Sequence, residues 1–297
     1  RCSMKQLLIL SGKGGTGKTT IASAFIKLAD AKAYADCDVD APNLHLITGW
    51  NAEPEKIDYY GLPKAGINTE LCIECNQCRQ NCRFDAISID KKYKVDPFAC
   101  EGCGVCEAVC PVGAVSLKPA VAGELMLYAN EGKVFSTAQL KMGSGTSGML
   151  ITEVKKQVKS AAVDAHLAII DGSPGIGCPV IASLSGVDMV LIVAEPSISG
   201  ISDMERIINT AAKFGTKTVV CINKYDTNIG NTEKIEEFCK KQGLAFMGRI
   251  PFDADAVKAI NNGQTIVDID CASGTAVKTI YNKTMKLLFE GGGGLRS

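Results

Sequence analysis

The sequence lacks long hydrophobic runs and has no imbalance of charge. No apolar stretch approaches the roughly 20 residues that a membrane-spanning helix needs. Lysine plus arginine and aspartate plus glutamate each number 32, so the formal net charge is zero. Neither nucleic acid nor an anionic membrane is therefore expected as the main partner. The beginning also lacks the basic and then apolar pattern of a secretory signal, so we expect a cytoplasmic location.

Cysteine, in contrast, is in excess. The sequence contains 14 cysteines, and eight of the 14 lie between residues 72 and 110. Because no export signal is recognisable, a disulfide framework explains them poorly, and metal or redox chemistry explains them better. The composition therefore indicates a metal-binding insert.

A glycine-rich segment near the start has the pattern of a phosphate-binding loop. The apolar run Leu7–Leu10 predicts a buried strand, and Ile21–Leu28 predicts a helix. Between them, residues 12–19 fit the motif G-x-x-x-x-G-K-[ST] in the strand–loop–helix context that it requires. Main-chain N–H groups of such a loop surround phosphate oxygens at a helix N-terminus. We therefore expect nucleotide contacts from Gly12, Lys13, Gly14, Gly15, Thr16, Gly17, Lys18, Thr19 and Thr20.

Acidic residues follow two other predicted strands. Asp36, Asp38 and Asp40 come directly after an apolar stretch, and Leu167–Asp171 predicts a buried strand that ends on an aspartate. Ligands of open parallel sheets bind at the carboxyl ends of strands, so these side chains are expected near the nucleotide. Each of the first three aspartates has a turn or helix-cap role as its alternative. We expect Mg²⁺ on Thr19 and Asp171.

Strands and helices alternate through most of the remaining chain, which predicts a doubly wound, mostly parallel α/β sheet. Helices are expected over Ser202–Phe214 and Glu233–Lys241. A final amphipathic pattern over residues 276–288 predicts a helix docked on the sheet, with a membrane-binding helix as the alternative. The sheet is expected to be interrupted by a small domain of different composition.

That small domain is marked by an internal repeat. Each cysteine of the second run lies 28 residues after its counterpart in the first, as Cys100 does after Cys72, and the flanking residues repeat as well. The spacing resembles the run of bacterial two-cluster ferredoxins, in which the fourth cysteine of each run binds the other cluster. The resemblance implies one [4Fe–4S] cluster on Cys72, Cys75, Cys78 and Cys110, and a second on Cys82, Cys100, Cys103 and Cys106. A pair of zinc sites is the alternative. Arg83 departs from the proline expected after the fourth cysteine.

Together, the phosphate loop with its early Lys13, the Asp171-Gly-Ser-Pro-Gly segment and the cysteine runs resemble MinD/Mrp-type P-loop ATPases with an inserted ferredoxin domain. The resemblance implies an ATPase domain over 4–62 and 119–290 and an α+β, bacterial ferredoxin-like insert over 63–118. Residues 1–3 and 291–297 are expected to be a tag or a disordered tail.

The resemblance also implies roles for individual residues. Lys13 would cross a homodimer interface to the partner's nucleotide, and Asp38 would position or activate the attacking water. Asp36 would support Mg²⁺, and Asn223 would contact adenine. The same asparagine begins an N-K-x-D segment like that of GTPases, so GTP stays an alternative. Nucleotide contacts are also expected from Pro251 and Phe252, in the loop after the last strand.

Cys178 has the same offset from Asp171 as a cluster-binding cysteine of the nitrogenase iron protein, a similar protein. An inert, partly buried thiol is the alternative, and we favour it.

The leading hypothesis is a slow ATPase that couples nucleotide-gated dimerization to electron transfer through two clusters. A cluster assembly carrier or scaffold and a MinD-like positioning ATPase with structural or sensory clusters are the alternatives. The expected partners are a second copy of the chain and an unidentified redox or metal-cluster protein.

Overall fold

The computed structural model describes residues 4–50 and 52–290 and divides into two compact units. The first, the phosphate-loop unit, comprises the residues up to Lys56, Leu125–Gln139 and the residues from Ser147 onward. The second, the cysteine unit, comprises Ile57–Glu124 and Leu140–Thr146. The predicted insert lies within the cysteine unit, whereas the predicted tail segments 1–3 and 291–297 lie outside the described residues.

Regular structure accounts for most of both units. The strands are β1 (Lys5–Leu10), β2 (Ala33–Asp36), β3 (Glu55–Tyr60), β4 (Lys64–Ile67), β5 (Ile87–Asp90), β6 (Lys92–Val95), β7 (Val115–Lys118), β8 (Val121–Asn130), β9 (Lys133–Leu140), β10 (Leu167–Asp171), β11 (Met189–Ala194), β12 (Lys217–Asn223) and β13 (Ala245–Ile250). The helices are α1 (Lys18–Leu28), α2 (Leu44–Thr48), α3 (Gln77–Gln80), α4 (Val105–Ala108), α5 (Ser147–Ala161), α6 (Cys178–Leu184), α7 (Ile198–Lys213), α8 (Ile229–Lys241), α9 (Ala254–Asn261) and α10 (Ala272–Glu290). A 3₁₀ turn covers Tyr225–Thr227.

The main sheet has the strand order β13-β12-β11-β1-β10-β2-β9-β8-β3. Pairing is parallel from β13 through β9, as the sequence predicts for a doubly wound α/β fold. Strands β1, β10 and β11 are apolar runs, and nearly all of their residues are buried because helices cover both faces of such sheets. The P-loop NTPase architecture is therefore confirmed, and the loop after β1 leaves the centre of the sheet.

Aromatic side chains form one edge of the core of the phosphate-loop unit. Phe135 on β9 is fully buried, and its ring stacks on Tyr34 at 5.1 Å and on Tyr128 at 5.3 Å between ring centroids. Trp50, the one tryptophan of the chain, packs against Tyr128 at 5.6 Å. The cluster joins β2, β8 and β9, so it stabilises the sheet where the chain leaves for the cysteine unit and returns.

Replacing Phe135 by alanine is expected to lower the free energy of unfolding by about 3–5 kcal/mol, because the substitution leaves a cavity among three rings. The control, Phe135→Leu, keeps most of the volume and should cost less than half as much. Urea unfolding followed by Trp50 fluorescence and circular dichroism measures both. Equal midpoints for Phe135→Ala and the unmodified chain would show that the ring does not contribute to this core.

The cysteine unit repeats its secondary structure with the 28-residue offset of its sequence. Helix α3 corresponds to α4, β5 to β7 and β4 to β6. The repeats interlock, because β4 pairs with β7 and β5 pairs with β6, both antiparallel. Matching main-chain bonds close each half: Asn68 N–H donates to Ala114 O at 2.7 Å, and Asp96 N–H donates to Ala86 O at 2.7 Å. The predicted duplication of a cysteine loop, a short helix and a strand is present.

Several helices begin earlier than the sequence predicts. Helix α7 begins at Ile198 rather than Ser202, because Ser197 caps it by accepting a hydrogen bond from Gly200 N–H at 3.1 Å. Likewise, the Asn228 side chain caps α8, which begins at Ile229 rather than Glu233. Serine, asparagine and glycine are typical of loops, so a capped first turn is easily assigned to the preceding loop.

Candidate functional site

Polar residues end three parallel strands on the edge of the sheet from which the glycine-rich loop departs. Asp36 is the last residue of β2, Asp171 of β10 and Asn223 of β12. Asp36 and Asp171 are paired in register on neighbouring strands. Because parallel strands share the direction of their carboxyl ends, the fold brings these predicted site residues to the loop that follows β1.

The glycine-rich loop presents an open helix N-terminus. Gly17 immediately precedes α1 with φ +87°, and no side chain caps the first turn. A Cβ at Gly17 would lie 2.3 Å from Asn223 Nδ2, so both the backbone angle and the close approach require glycine. The uncapped N–H groups of α1 are available to an anion such as a phosphate.

The loop surrounds a cavity of about 290 Å³. Residues 13–20 line it together with Ser11, Asp38, Asn43 and Pro174. Asn43 and Pro174 line the cavity but were not predicted as site residues. Only their position in the sequence could have indicated this, since each lies a few residues after a strand that ends in aspartate. Neither residue type alone indicates phosphate binding.

Lys18 and Asp171 form a buried ion pair at the floor of this cavity. Lys18 Nζ contacts Asp171 Oδ1, and the two side chains are 5% and 0% exposed. The other carboxylate oxygen, Asp171 Oδ2, is buried without a hydrogen-bond partner. An unpartnered carboxylate oxygen is costly unless a ligand satisfies it, and Mg²⁺ prefers such oxygens. Asp171 therefore has the unpaired carboxylate oxygen that a magnesium site needs, and the half-buried Thr19 lines the cavity next to Lys18.

Asp36 anchors the loop that follows β2. Its fully buried carboxylate accepts hydrogen bonds from the main-chain N–H groups of Asp38 (3.0 Å), Asn43 (2.9 Å) and Leu44 (3.0 Å). Burial raises the pKa of Asp36 to about 7, and the neighbouring Asp171 carboxylate adds to the effect. With both oxygens engaged by main-chain donors, Asp36 fixes this loop around the cavity, and direct Mg²⁺ binding by Asp36 stays a prediction.

Asp38 is the acidic residue of that loop that lines the cavity. It is half-buried, and burial is the main reason why its pKa is raised. Asp40, two residues later, is exposed. Of the three predicted aspartates, Asp38 is thus the one placed to act on a group bound in the cavity.

Lys13 is held by residues around the start of α7. Its Nζ lies 3.2 Å from Glu195 Oε2 and donates to Ser197 Oγ at 3.1 Å and Ser199 Oγ at 3.2 Å. All three partners were missed at the sequence level, because their relation to Lys13 spans more than 180 residues of chain. Lys13 is partly exposed at the cavity rim, so this single-chain arrangement leaves it accessible.

A second cavity, of about 200 Å³, adjoins the first at Gly15, Gly17 and Thr20. It is lined by the predicted residues Asn223, Pro251 and Phe252, with apolar walls from Ile21, Val257, Ile260 and Ile266. This shape suits a planar base attached to a phosphate chain bound in the first cavity.

The N-K-x-D segment supports the glycine-rich loop from this side. Asn223 Nδ2 donates to Thr16 O at 2.7 Å, and Lys224 Nζ donates to Gly15 O at 3.0 Å. Asp226 Oδ1 accepts from Phe252 N–H at 2.8 Å. The acidic side chain that lines the base cavity is Asp253 rather than Asp226. The motif therefore has a structural use that is independent of which base is bound.

The phosphate-loop unit also contains a larger cavity, of about 450 Å³, around Tyr34 and Trp50. Its lysines are already paired, Lys27 with Asp268 at 2.5 Å and Lys133 with Asp30 at 2.7 Å. The smaller cavity under the glycine-rich loop has the uncapped helix N-terminus that a phosphate needs, and its Lys18 contacts Asp171, whose other carboxylate oxygen is unpaired. Size therefore does not identify the nucleotide site here.

In the cysteine unit, the eight motif cysteines are divided between two cavities. One is lined by Cys72, Cys75, Cys78 and Cys110, and the other by Cys82, Cys100, Cys103 and Cys106. Each set takes three cysteines from one run and the fourth from the other run. The remaining walls are mainly apolar, with Ile67, Tyr93 and Val115 around the first cavity and Ala65, Ile87 and Leu117 around the second.

Across residues 4–50 and 52–290, no group of three or more His, Cys, Asp or Glu side chains is arranged to hold a single metal ion. The cysteine sulfurs thus surround two spaces instead of converging on one ion. Cys178 lies in the other unit, exposed, at the first residue of α6. The described helices include none that is long and apolar enough to cross a membrane.

Comparison with known families gives one match that covers most of the chain. Residues 7–266 match the family described as the CobQ/CobB/MinD/ParA nucleotide binding domain. An uncharacterized protein of Methanocaldococcus jannaschii is 32% identical over 289 residues, which cover 95% of this chain and 97% of that protein. An iron-sulfur cluster carrier protein of Pyrococcus horikoshii is 24% identical over 282 residues, covering 88% and 79% of the two chains.

Among solved structures, the septum site-determining protein MinD of Pyrococcus horikoshii, complexed with Mg-ADP, is similar in fold. It aligns with a TM-score of 0.59 at 16% identity and covers 98% of this chain and 99% of that chain. At this identity the similarity establishes the architecture of the sheet and its helices. The chemistry of the site must be argued from the residues themselves.

Proposed function

The chain belongs to the CobQ/CobB/MinD/ParA family of P-loop ATPases, and from this premise we propose that it couples ATP hydrolysis to electron transfer through two [4Fe–4S] clusters. The observation that carries the proposal is the combination, in one chain, of a phosphate-binding cavity and two cavities that are each lined by four cysteines. Residues 63–118 act as an inserted ferredoxin domain in this proposal.

The nucleotide site follows from the contacts of its residues. Lys18, beside Asp171 at the cavity floor, binds the β- and γ-phosphates, and the N–H groups of residues 14–19 surround them. Thr19 and Asp171 hold Mg²⁺, which offsets the charge of the phosphates. Asp38 orients the attacking water from the cavity wall. Asn223, Pro251 and Phe252 contact adenine, since the carboxylate needed to read guanine is engaged by the loop at Phe252.

The cluster assignment is supported against the zinc alternative by the arrangement of the sulfurs. A zinc ion needs four ligands at about 2.0–2.3 Å around one point, and no group of the described residues meets that condition. A cluster is larger and needs a cysteine at each corner of a space, in apolar surroundings. When bound, such clusters accept and release single electrons. The thiolates of the two sets then act as their ligands, and the apolar walls exclude water.

Anaerobic purification tests this proposal directly. We expect about eight irons and eight acid-labile sulfides per chain, with potentials near −400 mV, as in low-potential ferredoxins. Addition of Mg-ATP should shift those potentials or the electron paramagnetic resonance spectrum. Zinc in place of iron, or spectra and potentials that are identical with and without ATP, would contradict the proposal.

A second candidate is a carrier in cluster assembly, favoured by the similarity to the Pyrococcus horikoshii carrier protein. Transfer of iron and sulfide to an apo-ferredoxin in an ATP-dependent manner would identify this function. Clusters that stay bound through many turnovers of ATP, while they pass electrons from an added reductant to a soluble electron acceptor, would exclude it.

We further propose that ATP is bound between two copies of the chain, with Lys13 of each reaching the partner's nucleotide. In the single chain, Lys13 is held at the rim by Glu195, Ser197 and Ser199, so its release depends on a competing anion.

Lys13→Ala is therefore expected to abolish ATP-dependent dimerization and to leave the affinity for ATP within about threefold, because Lys18 is untouched. Light scattering with and without a non-hydrolysable ATP analogue measures the dimer. The control is Lys5→Ala, which removes a pair with Asp188. A dimer that forms equally well with Lys13→Ala would contradict the assignment.

A further inference from the structure

Lys155 on α5 holds the end of helix α6. Its Nζ donates to the carbonyl oxygens of Ala182 (3.2 Å), Ser183 (2.6 Å) and Ser185 (2.5 Å). The last carbonyls of a helix have no partner within the helix and carry partial negative charge, so an ammonium group satisfies them well. Helix α6 begins at Cys178, directly after the loop that follows Asp171. Lys155 therefore fixes the helix that directly follows the loop after Asp171.

The same lysine lies beside the start of the loop that carries Asp38. Burial lowers the pKa of Lys155 to about 8, and the Lys155 charge acts on the buried Cys37 thiol. Cys37 lies between Asp36 and Asp38, and its N–H donates to Asp171 O at 2.8 Å. A buried ammonium group is costly in free energy unless its partners compensate it. Lys155 is thus held where the segments carrying Asp38 and Asp171 meet.

Helix α5 packs along α6 from one end to the other. At its beginning, a Cβ on Gly148 would lie 3.4 Å from Cys178 O and 3.7 Å from Ala182 Cβ, which is ordinary van der Waals contact, so the two helices are close there. One and two turns further on, Thr152 and Lys155 follow on the same helix, and Lys155 reaches the far end of α6. A shift of α6 must therefore move α5 with it, because close-packed helices do not deform continuously.

Residues 140–146 are connected at both ends to segments that contact the loops described above. The segment belongs to the cysteine unit, and α5 begins at Ser147, immediately after it. On its other side, Gln139 of β9 donates from Nε2 to Asp40 O at 3.2 Å, in the loop that carries Asp38. The chain thus enters the cysteine unit from a residue bonded to the loop that carries Asp38, and leaves it into α5, which is bonded through Lys155 to the end of α6.

We propose that Lys155 is a positioning residue that transmits the nucleotide state from the loop after Asp171, through α6 and α5, to segment 140–146 of the cysteine unit. Gln139 provides the parallel connection from the loop after Asp38. This proposal rests on the proposed function, because it names the residues through which ATP acts on the cluster-bearing unit. Neither residue lines the phosphate cavity, so both are expected to affect coupling more than nucleotide affinity.

The test is hydrogen–deuterium exchange on the full, anaerobically purified chain with and without Mg-ATPγS. In the unmodified protein, we expect the nucleotide to change exchange in peptides covering 140–150 by at least about fivefold. Lys155→Met keeps the aliphatic stem but removes the three donors, so the change should fall below about twofold, while the nucleotide Kd stays within about threefold. Lys155→Arg, which keeps the charge, should restore most of the change. If Lys155 were merely structural, its substitution would lower the melting temperature, and the nucleotide Kd and the exchange change in 140–150 would be affected together.

Gln139→Leu, at an exposed position, keeps the inference testable if Lys155→Met does not fold. It should reduce the nucleotide-dependent change in 140–150 without altering the melting temperature. A full response in Lys155→Met or, if that variant does not fold, a full response in Gln139→Leu would overturn the inference. So would an unmodified protein that binds its clusters and hydrolyses ATP but shows no exchange change in 140–150. Absence of clusters or of hydrolysis in the unmodified protein would instead overturn the proposed function.

Discussion

Lys18→Met should lower the free energy of unfolding of the nucleotide-free protein by about 3–5 kcal/mol, as expected when one partner of a buried ion pair is removed. Lys18 and Asp171 are almost completely excluded from water, and Asp171 Oδ2 is already without a partner. Without Lys18 the carboxylate is a buried, uncompensated charge. The same substitution should lower ATP hydrolysis by about 10²–10³-fold or more, because a preorganised cation at the phosphates is lost.

A second substitution separates these two effects. In the double variant Lys18→Met/Asp171→Asn, both groups are neutral, so most of the lost stability should return while hydrolysis stays absent. Urea unfolding followed by Trp50 fluorescence, and phosphate release, provide the two measurements. Lys241→Met is the control, since its exposed pair with Glu237 is expected to contribute less than about 1 kcal/mol. Further destabilisation by Asp171→Asn in the Lys18→Met background would contradict this account of the pair.

The pair also illustrates what the sequence could predict of the site. The apolar run before Asp171 assigned that residue to a strand end, which the fold confirms, whereas the assignment of Lys18 to phosphate stays a prediction. What the motif could not predict is that the two side chains contact each other. That contact depends on β1 and β10 being neighbours, which is a property of the sheet order.

Loop residues with distant partners were the hardest to predict. The local sequence around Lys13 contains no indication of Glu195, Ser197 or Ser199, since their contacts arise only when the start of α7 folds beside the glycine-rich loop. The three main-chain donors that make Asp36 the anchor of the loop containing Asp38 were not predicted, and its expected support of Mg²⁺ stays a prediction. Such roles depend on backbone geometry, which a single sequence does not encode locally.

The repeat, by contrast, could be predicted in detail because each half encodes the same local structure. Identical cysteine spacing led directly to the correspondence of α3 with α4 and of β5 with β7. The strands β4 and β6 were missed, since each has only four residues, and each becomes a strand only by pairing with the second strand of the other half. Local signals thus defined the cysteine loops, and long-range pairing defined the sheet edges that hold them.

Cluster binding across the two runs should be visible in the iron content of paired cysteine variants. The cavity that contains Cys72, Cys75 and Cys78 takes Cys110 from the second run, and Cys106 lines the other cavity. The double variant Cys78→Ala/Cys110→Ala therefore removes two ligands of one cluster and should retain about four irons per chain. Cys106→Ala/Cys110→Ala removes one ligand from each cluster, although both residues belong to the same run, and should destabilise both clusters.

If each run instead bound its own cluster, the two double variants would exchange their outcomes. Cys106→Ala/Cys110→Ala would retain about four irons, and Cys78→Ala/Cys110→Ala would lose iron from both sites. Cys178→Ala is the control, because that exposed thiol lies outside both cavities and its removal should leave about eight irons. Iron and labile-sulfide analysis of anaerobically purified protein, with spectra of the reduced state, therefore determines which four thiolates share a cluster. The interlocked pairing of β4 with β7 and of β5 with β6 favours the crossed arrangement, because it brings the end of each run to the beginning of the other.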